Sequence, residues 1–146
     1  TWYHDAVYDP EKLTNEEDSA ELARTQLTQL GLSKELIDRV TMLIIATKNH
    51  EVQDDDFDTK FFLDIDLSIL GSVKRRYNKY AEQIREEYKS IPDGIYIKGR
   101  IKVLEHLLEM DRIYKTELFF NLWEDMARQN LNQELSSLRH QESKGD

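Results

Sequence analysis

The sequence predicts an all-α fold, and three observations support this prediction. Apolar residues recur three and four positions apart along almost the whole chain, which is the period of a helix with one buried face. No segment has the strict alternation of apolar and polar residues that is typical of a strand. The helical segments are separated by Gly31, Gly71, Pro92 and Gly94, residues that commonly end helices. The 146 residues, 39% of them hydrophobic, are enough for one domain with one core.

The first predicted helix begins at Thr14. Thr14 and Glu17 have the spacing of a capping box, in which the threonine side chain accepts from the backbone and the glutamate side chain reaches back to it. Gly31 ends this helix, because glycine easily adopts the conformation that follows a helix. The predicted buried face holds Ala20, Ala23, Leu27 and Leu30.

The second predicted helix begins after Ser33, a residue that often caps helices, and is closed by His50. Its predicted buried face holds Leu36, Val40, Leu43, Ile44 and Thr47. The acidic residues 51–58 follow as a solvated connection.

A strongly apolar third helix is predicted from a cap at Asp58 through Leu70. It carries two aspartates, Asp64 and Asp66, which lie about 200° apart around a helix and therefore cannot both face one site. The residues one turn away from Asp66 are all apolar, whereas those around Asp64 are mixed. We therefore expect Asp66 to be the more buried carboxylate.

Three further helices complete the predicted bundle. The first carries a stripe of tyrosines and ends before Pro92, the second is aliphatic, and the third is long. Their predicted core residues are Tyr77, Tyr80, Ile84 and Tyr88, then Ile97, Ile101, Leu104 and Leu108, then Phe119, Trp123, Met126, Asn130 and Leu138. Residues 140–146 are polar, and we expect them to form a disordered tail.

Composition limits the classes of partner. The 29 acidic residues exceed the 20 basic ones, and a net charge of -9 argues against binding of a nucleic-acid polymer or an anionic membrane surface. The absence of cysteine excludes disulfides, thiolate zinc sites and a cysteine nucleophile. No run of residues is apolar enough to span a membrane, so we expect a cytoplasmic protein.

The segment WYHDAVYD, residues 2–9, contains the strongest candidate for a site. His4 and Asp5 place an imidazole beside a carboxylate in an otherwise apolar, aromatic stretch. These are the ligands that Mn²⁺, Fe²⁺, Co²⁺ and Mg²⁺ accept. Asp66 is the expected third ligand, since a carboxylate in an apolar helix needs a cation or several hydrogen bonds.

This pattern resembles the HD-domain metal-dependent phosphohydrolases, which are all-α enzymes. The resemblance is to one poorly characterised subfamily of predicted phosphohydrolases, and it extends over nearly the whole chain. The motifs that carry it are HDAVYD (4–9), Asn15-Glu16 with Ser19-Ala20, LDIDLSILG (63–71), Tyr96 with Gly99-Arg100, Ile113-Tyr114 and Ala127 to Leu131. It implies that His4, Asp5 and Asp66 ligate a divalent metal, with Mn²⁺ favoured. It also implies hydrolysis of a phosphorylated small molecule, either a phosphomonoester or a nucleotide.

The remaining candidate residues take roles around that metal. Asp9 and Glu16 are candidates for the base that orients the attacking water, although each is also explained as a carboxylate near a helix end. Arg100 and Arg128 fit the subfamily pattern for binding substrate phosphate, but Arg128 can also pair with Glu124 one turn earlier. The expected supports of the metal ligands are His50, Asp64 and Asn130, with an interhelical hydrogen bond as the alternative for Asn130.

The family's first histidine ligand comes from a helix upstream of the His-Asp pair, and here only Thr1, Trp2 and Tyr3 precede His4. Neither His106 nor His140 replaces it, because both are expected at the surface. We therefore expect an HD-like domain over residues 1–139 that lacks its first helix. Such a site should hold metal weakly, and the uncovered apolar surface should favour a homo-oligomer.

Two other functions remain open. HDAVYD also resembles the HDxxED stretch of enzymes that hydrolyse guanosine tetraphosphate alarmones, with Asp9 at the final aspartate but Tyr8 at the position of the glutamate. Alternatively, the chain is a binding or assembly module that keeps the scaffold without catalysis. Loss of His4 or Asp5 separates an enzyme from a module, because an enzyme loses its activity whereas a module changes only in stability.

Overall fold

The computed structural model describes residues 3–9, 12, 14–48, 50 and 56–145. These residues form six α-helices, which are α1 (Asn15–Gln29), α2 (Lys34–Ala46), α3 (Phe57–Asp66), α4 (Lys74–Glu87), α5 (Asp93–Glu109) and α6 (Glu117–Gly145). A short 3₁₀ helix, Leu67–Ile69, follows α3. No strand occurs among the described residues, so the all-α prediction is confirmed.

Contacts divide the chain into two compact units, Thr1–Leu63 and Asp64–Asp146, with the boundary inside α3. The single HD-like domain expected over residues 1–139 stays a prediction. No helix in the described part of the chain is long and apolar enough to cross a membrane.

In the first unit, α1 and α2 pack against each other. Their shared core consists of Ala20, Ala23, Leu27, Ile37 and Ile44, with Tyr3, Leu32 and Val40 packed against it. The Ser33 hydroxyl accepts from the Leu36 backbone N–H at 3.3 Å, which confirms Ser33 as the cap of α2.

Two local predictions for α1 and α2 are wrong. Thr14 makes no capping bond, because its hydroxyl donates to Asp18 instead, and Glu17 pairs with Lys48 beyond the end of α2. Leu30 and Leu36 are exposed, since the buried faces of their helices run through neighbouring positions. In α2 the buried residues are Ile37, Thr41 and Ile44.

The cap of α3 also differs from the prediction. The Asp56 carboxylate, and not that of Asp58, accepts from the Thr59 backbone N–H at 2.8 Å. Hydrogen bonds from Thr59 and the nearby Arg39 guanidinium lower the pKa of Asp56 to about 2. Residues 51–55 of the expected acidic connection lie outside the described residues.

The second unit is built on α4, α5 and α6, with α5 packed along α6. Its buried residues include Tyr77 from α4, then Ile101, Leu104 and Leu107 from α5, and Ala127, Leu131, Leu135 and Leu138 from α6. Met126, expected in the core, is 39% exposed. Helix α6 continues to Gly145, where the composition predicts a disordered tail, because extending an existing helix through residues without proline costs little.

Gly71 allows the turn after α3 to approach α6 closely. A Cβ atom at Gly71 would lie 2.8 Å from the Tyr114 hydroxyl oxygen and 2.9 Å from Trp123 Cγ, and closer still to Trp123 Cβ. We expect Gly71→Ala to lower the free energy of unfolding by about 3 kcal/mol, because the Trp123 Cβ is fixed to the helix backbone and cannot turn away. Urea denaturation measures this loss.

Gly99→Ala is the matched control for that substitution. A Cβ at Gly99 meets nothing within 4 Å, and Gly99 lies inside α5. The control should therefore raise the unfolding free energy by about 1 kcal/mol, through higher helix propensity. Equal effects of the two substitutions would contradict the close packing at Gly71.

Candidate functional site

His4 and Asp5 form a close pair in a turn that precedes α1. The His4 Nε2 atom lies 3.1 Å from Asp5 Oδ2, and the two side chains are 30% and 74% exposed. The rings of His4 and Phe62 are nearly perpendicular to each other, with 6.1 Å between the ring centres. Residues 3–7 form turns and bends.

Two residues of α1 hold this segment in place. The buried Ser19 hydroxyl accepts from the Val7 backbone N–H at 3.0 Å and lies 3.2 Å from the Val7 carbonyl oxygen, to which it donates. The Asn15 side chain makes a similar pair of hydrogen bonds with the backbone of Asp9, both at 2.9 Å. Sequence reasoning missed these two positioning roles, although Asn15 and Ser19 both belong to the motifs that carry the family resemblance.

The geometry of the pair fits two neighbouring ligands of one divalent ion. Ligand atoms about 2.1 Å from a metal and at right angles to each other lie about 3 Å apart. The observed 3.1 Å between His4 Nε2 and Asp5 Oδ2 matches this separation, and it is also the length of an ordinary imidazole–carboxylate hydrogen bond. Metal ligation by His4 and Asp5 stays a prediction.

A third ligand is needed for a stable site. Among the described residues, no three His, Cys, Asp or Glu side chains are grouped so that they could hold a metal ion. Asp66 ends α3, is partly exposed and belongs to the second unit, whereas His4 and Asp5 belong to the first. The convergence of Asp66 with His4 and Asp5 stays a prediction.

The prediction that Asp66 is more buried than Asp64 is wrong. The Asp64 side chain is fully buried and accepts from the backbone N–H groups of Lys115 and Thr116, at 2.6 and 2.8 Å, and from the Thr116 hydroxyl at 2.6 Å. Both carboxylate oxygens therefore hold the chain just before α6. Apolar neighbours along one helix did not determine burial, because the donors that Asp64 satisfies come from a distant loop.

The two candidates for the catalytic base are Asp9, at the end of the segment that Ser19 and Asn15 hold, and Glu16, at the start of α1. Asp9 is partly buried, and its backbone is bonded to Asn15, as described above. Glu16 lies in the first turn of α1, where a negative charge favours the helix. Residues 3–9 are not helical, so Asp9 and Asp5 are not related by one helical turn. Their catalytic roles stay predictions.

Both candidate phosphate-binding arginines have internal partners. The Arg100 guanidinium, 9% exposed, binds the Glu134 carboxylate with two hydrogen bonds of 2.8 and 3.2 Å, and the Tyr77 hydroxyl donates to the same carboxylate. Arg128 pairs with Glu124 at 2.8 Å, as the spacing predicted, and donates to the carbonyl oxygens of Leu108 and Met110. Arg128 thereby closes the C-terminal end of α5.

The sequence predicts Glu124 only as a partner of Arg128, whereas in the structure Glu124 also holds a loop. It is 5% exposed, and its carboxylate also accepts from the backbone N–H groups of Ile113 and Tyr114, at 3.1 Å each. The four-residue spacing of Glu124 and Arg128 predicts an ion pair along one helix. It does not predict that the Glu124 carboxylate also binds the loop before α6.

The other polar candidates are Asn130 and three histidines. The Asn130 amide donates to the carbonyl oxygens of Leu70 and Ser72, both at 2.8 Å. These acceptors lie in the turn before α4, so Asn130 holds a turn and does not join two helices. His50 follows α2 with a positive φ of 52°, and its backbone N–H bonds to the Ala46 carbonyl. His106 and His140 are exposed, as expected. Support of metal ligands by His50, Asp64 or Asn130 stays a prediction.

Comparison with known proteins finds no relative of this chain. No protein-family model matches the chain, and neither the curated proteins nor the solved structures contain a match.

Proposed function

We propose that the protein is a metal-dependent phosphohydrolase of the HD type, acting on a phosphomonoester or a nucleotide. The observation that carries this proposal is the 3.1 Å separation of His4 Nε2 and Asp5 Oδ2. The family resemblance of HDAVYD and LDIDLSILG supports it, as does the anchoring of the His-Asp segment by Ser19 and Asn15.

His4 and Asp5 would hold the metal from the first unit, and Asp66 is the proposed third ligand. A bound divalent ion lowers the pKa of a coordinated water and withdraws charge from a phosphoryl oxygen. Asp9 or Glu16 would accept the proton of the attacking water. Arg100 and Arg128 are assigned to the structure rather than to the substrate, because their guanidinium groups already bind Glu134 and Glu124.

The test measures phosphate release with Mn²⁺ from a panel of phosphomonoesters and nucleotides that includes guanosine tetraphosphate. We expect metal-dependent release, and we expect His4→Ala and Asp5→Asn each to reduce it by about 100-fold or more. Because Asp5 is exposed and His4 is partly exposed, the same variants should change the unfolding free energy by less than about 1 kcal/mol. His106→Ala, an exposed histidine of α5, is the matched control and should keep full activity.

The binding or assembly module is the second candidate, and a surface of α6 favours it. Leu118, Leu122 and Met126 lie four residues apart on one face of the helix and are 58%, 61% and 39% exposed. Folded protein that releases no phosphate with any metal, and that sediments as a dimer of two identical chains, would favour the module over the enzyme. Release of pyrophosphate from guanosine tetraphosphate alone would identify the alarmone activity.

A further inference from the structure

A cleft in the second unit lies among α4, α5 and the second half of α6. Its volume is about 880 Å³, which is within the range of small-molecule sites. Its apolar surface comes from Ala81, Ile97 and Leu138, and two tyrosines, Tyr77 and Tyr96, add aromatic surface. None of the proposed metal ligands, His4, Asp5 and Asp66, lines this cleft.

An ion-pair network of Arg100, Glu134 and Tyr77 borders the cleft. Glu134 lines the cleft and is bound by Arg100 and by the Tyr77 hydroxyl. Burial and the hydrogen bond to Glu134 raise the pKa of Tyr77 far above its ordinary value, so the hydroxyl remains a donor. The carboxylate of Glu134 accepts three hydrogen bonds here, whereas a carboxylate can accept about four.

A second ion pair lies along the cleft. The Arg85 guanidinium binds Asp93 at 2.5 Å and covers the Tyr96 ring, with 4.7 Å from the guanidinium carbon to the ring centre. Arg85 also donates to the carbonyl oxygens of Tyr88 and Ile91. Its donors are therefore used within the protein, and it is not a free cation for a ligand.

The charges that remain in the cleft are mainly negative. Glu82 from α4 and Glu142 from α6 line the cleft and form no ion pair within the described part of the chain. Lys98 is the lining cation outside the two networks. Side chains with an oxygen acceptor also line the cleft, namely Asn78, Asn130, Gln133, Ser137 and Gln141. An anionic ligand would meet these two carboxylates, whereas a cation would meet charged and neutral acceptors.

We propose that this cleft binds a small aliphatic amine. The ammonium groups would be held by the carboxylates of Glu82 and Glu142 and by the neighbouring amide oxygens, and the methylene chain would pack on Ile97 and Leu138. The protein's net charge of -9 raises the local concentration of such cations.

Spermidine is the probe, titrated into the full chain without added metal and followed by amide chemical shifts. We expect saturable binding with a Kd of about 1 mM or lower and shifts concentrated in α4, α5 and residues 130–142 of α6. The double variant Glu82→Gln/Glu142→Gln should raise the Kd about tenfold, because two charge interactions are lost.

The matched control is Glu87→Gln/Glu109→Gln, which removes the same charge from exposed positions on α4 and α5 outside the cleft. It should leave the Kd within about twofold of the wild type, since distant charges are screened. Equal weakening by both double variants would mean unspecific attraction and would overturn the proposal. Tighter binding of inorganic phosphate than of spermidine in the cleft would overturn it as well. Phosphate release is not used here, so failure of the hydrolase proposal leaves this test unaffected.

Discussion

Asp64→Ala is expected to lower the free energy of unfolding by about 4 kcal/mol. The substitution leaves the backbone N–H groups of Lys115 and Thr116 and the Thr116 hydroxyl without their acceptor in a buried place. Each buried donor that loses its partner costs about 1–3 kcal/mol. Urea denaturation followed by circular dichroism measures the loss.

Two comparison variants identify the cause of that loss. Asp64→Asn keeps one acceptor oxygen, so its cost should be about 2 kcal/mol. Asp125→Ala removes an exposed carboxylate from α6 and should change stability by less than about 0.5 kcal/mol. A cost below 1 kcal/mol for Asp64→Ala would show that Asp64 does not hold the start of α6.

Glu134→Ala is expected to have a similar effect, again about 4 kcal/mol. The guanidinium of Arg100 would remain buried at 9% exposure without its carboxylate, and the Tyr77 hydroxyl would lose its acceptor. An unpaired buried charge costs about 3–5 kcal/mol, whereas removing both charges costs much less.

The double variant Arg100→Met/Glu134→Leu tests this explanation. It should recover at least half of the stability lost in Glu134→Ala, because no charge is left unpaired. Tyr77→Phe removes only one hydrogen bond and should cost about 1 kcal/mol. If the double variant is less stable than Glu134→Ala, packing rather than the unpaired guanidinium causes the loss.

The sequence by itself determined the helical class and most features that depend on near neighbours. The three-to-four spacing, the breaks at Gly31 and Pro92, and the cap at Ser33 were predicted correctly, since each depends on residues within about one turn. The Arg128–Glu124 pair belongs to the same group, because it joins positions one turn apart. Asn130 was predictable as a polar residue on an apolar stripe, although its partners were not.

Only the tertiary structure decided which polar groups are buried and what they bind. Asp64 finds its partners 51 and 52 positions away, and Arg100 finds Glu134 34 positions away. The spacing within one helix carries no information about such contacts, so it favoured Asp66 over Asp64 and left Arg100 available for a substrate. Likewise, Ser19 and Asn15 hold the His4-Asp5 segment through hydrogen bonds to a non-helical backbone. The spacing of apolar residues does not predict the conformation of such a backbone. A buried polar group is fixed by the donors and acceptors that folding brings to it, and these come from distant parts of the chain.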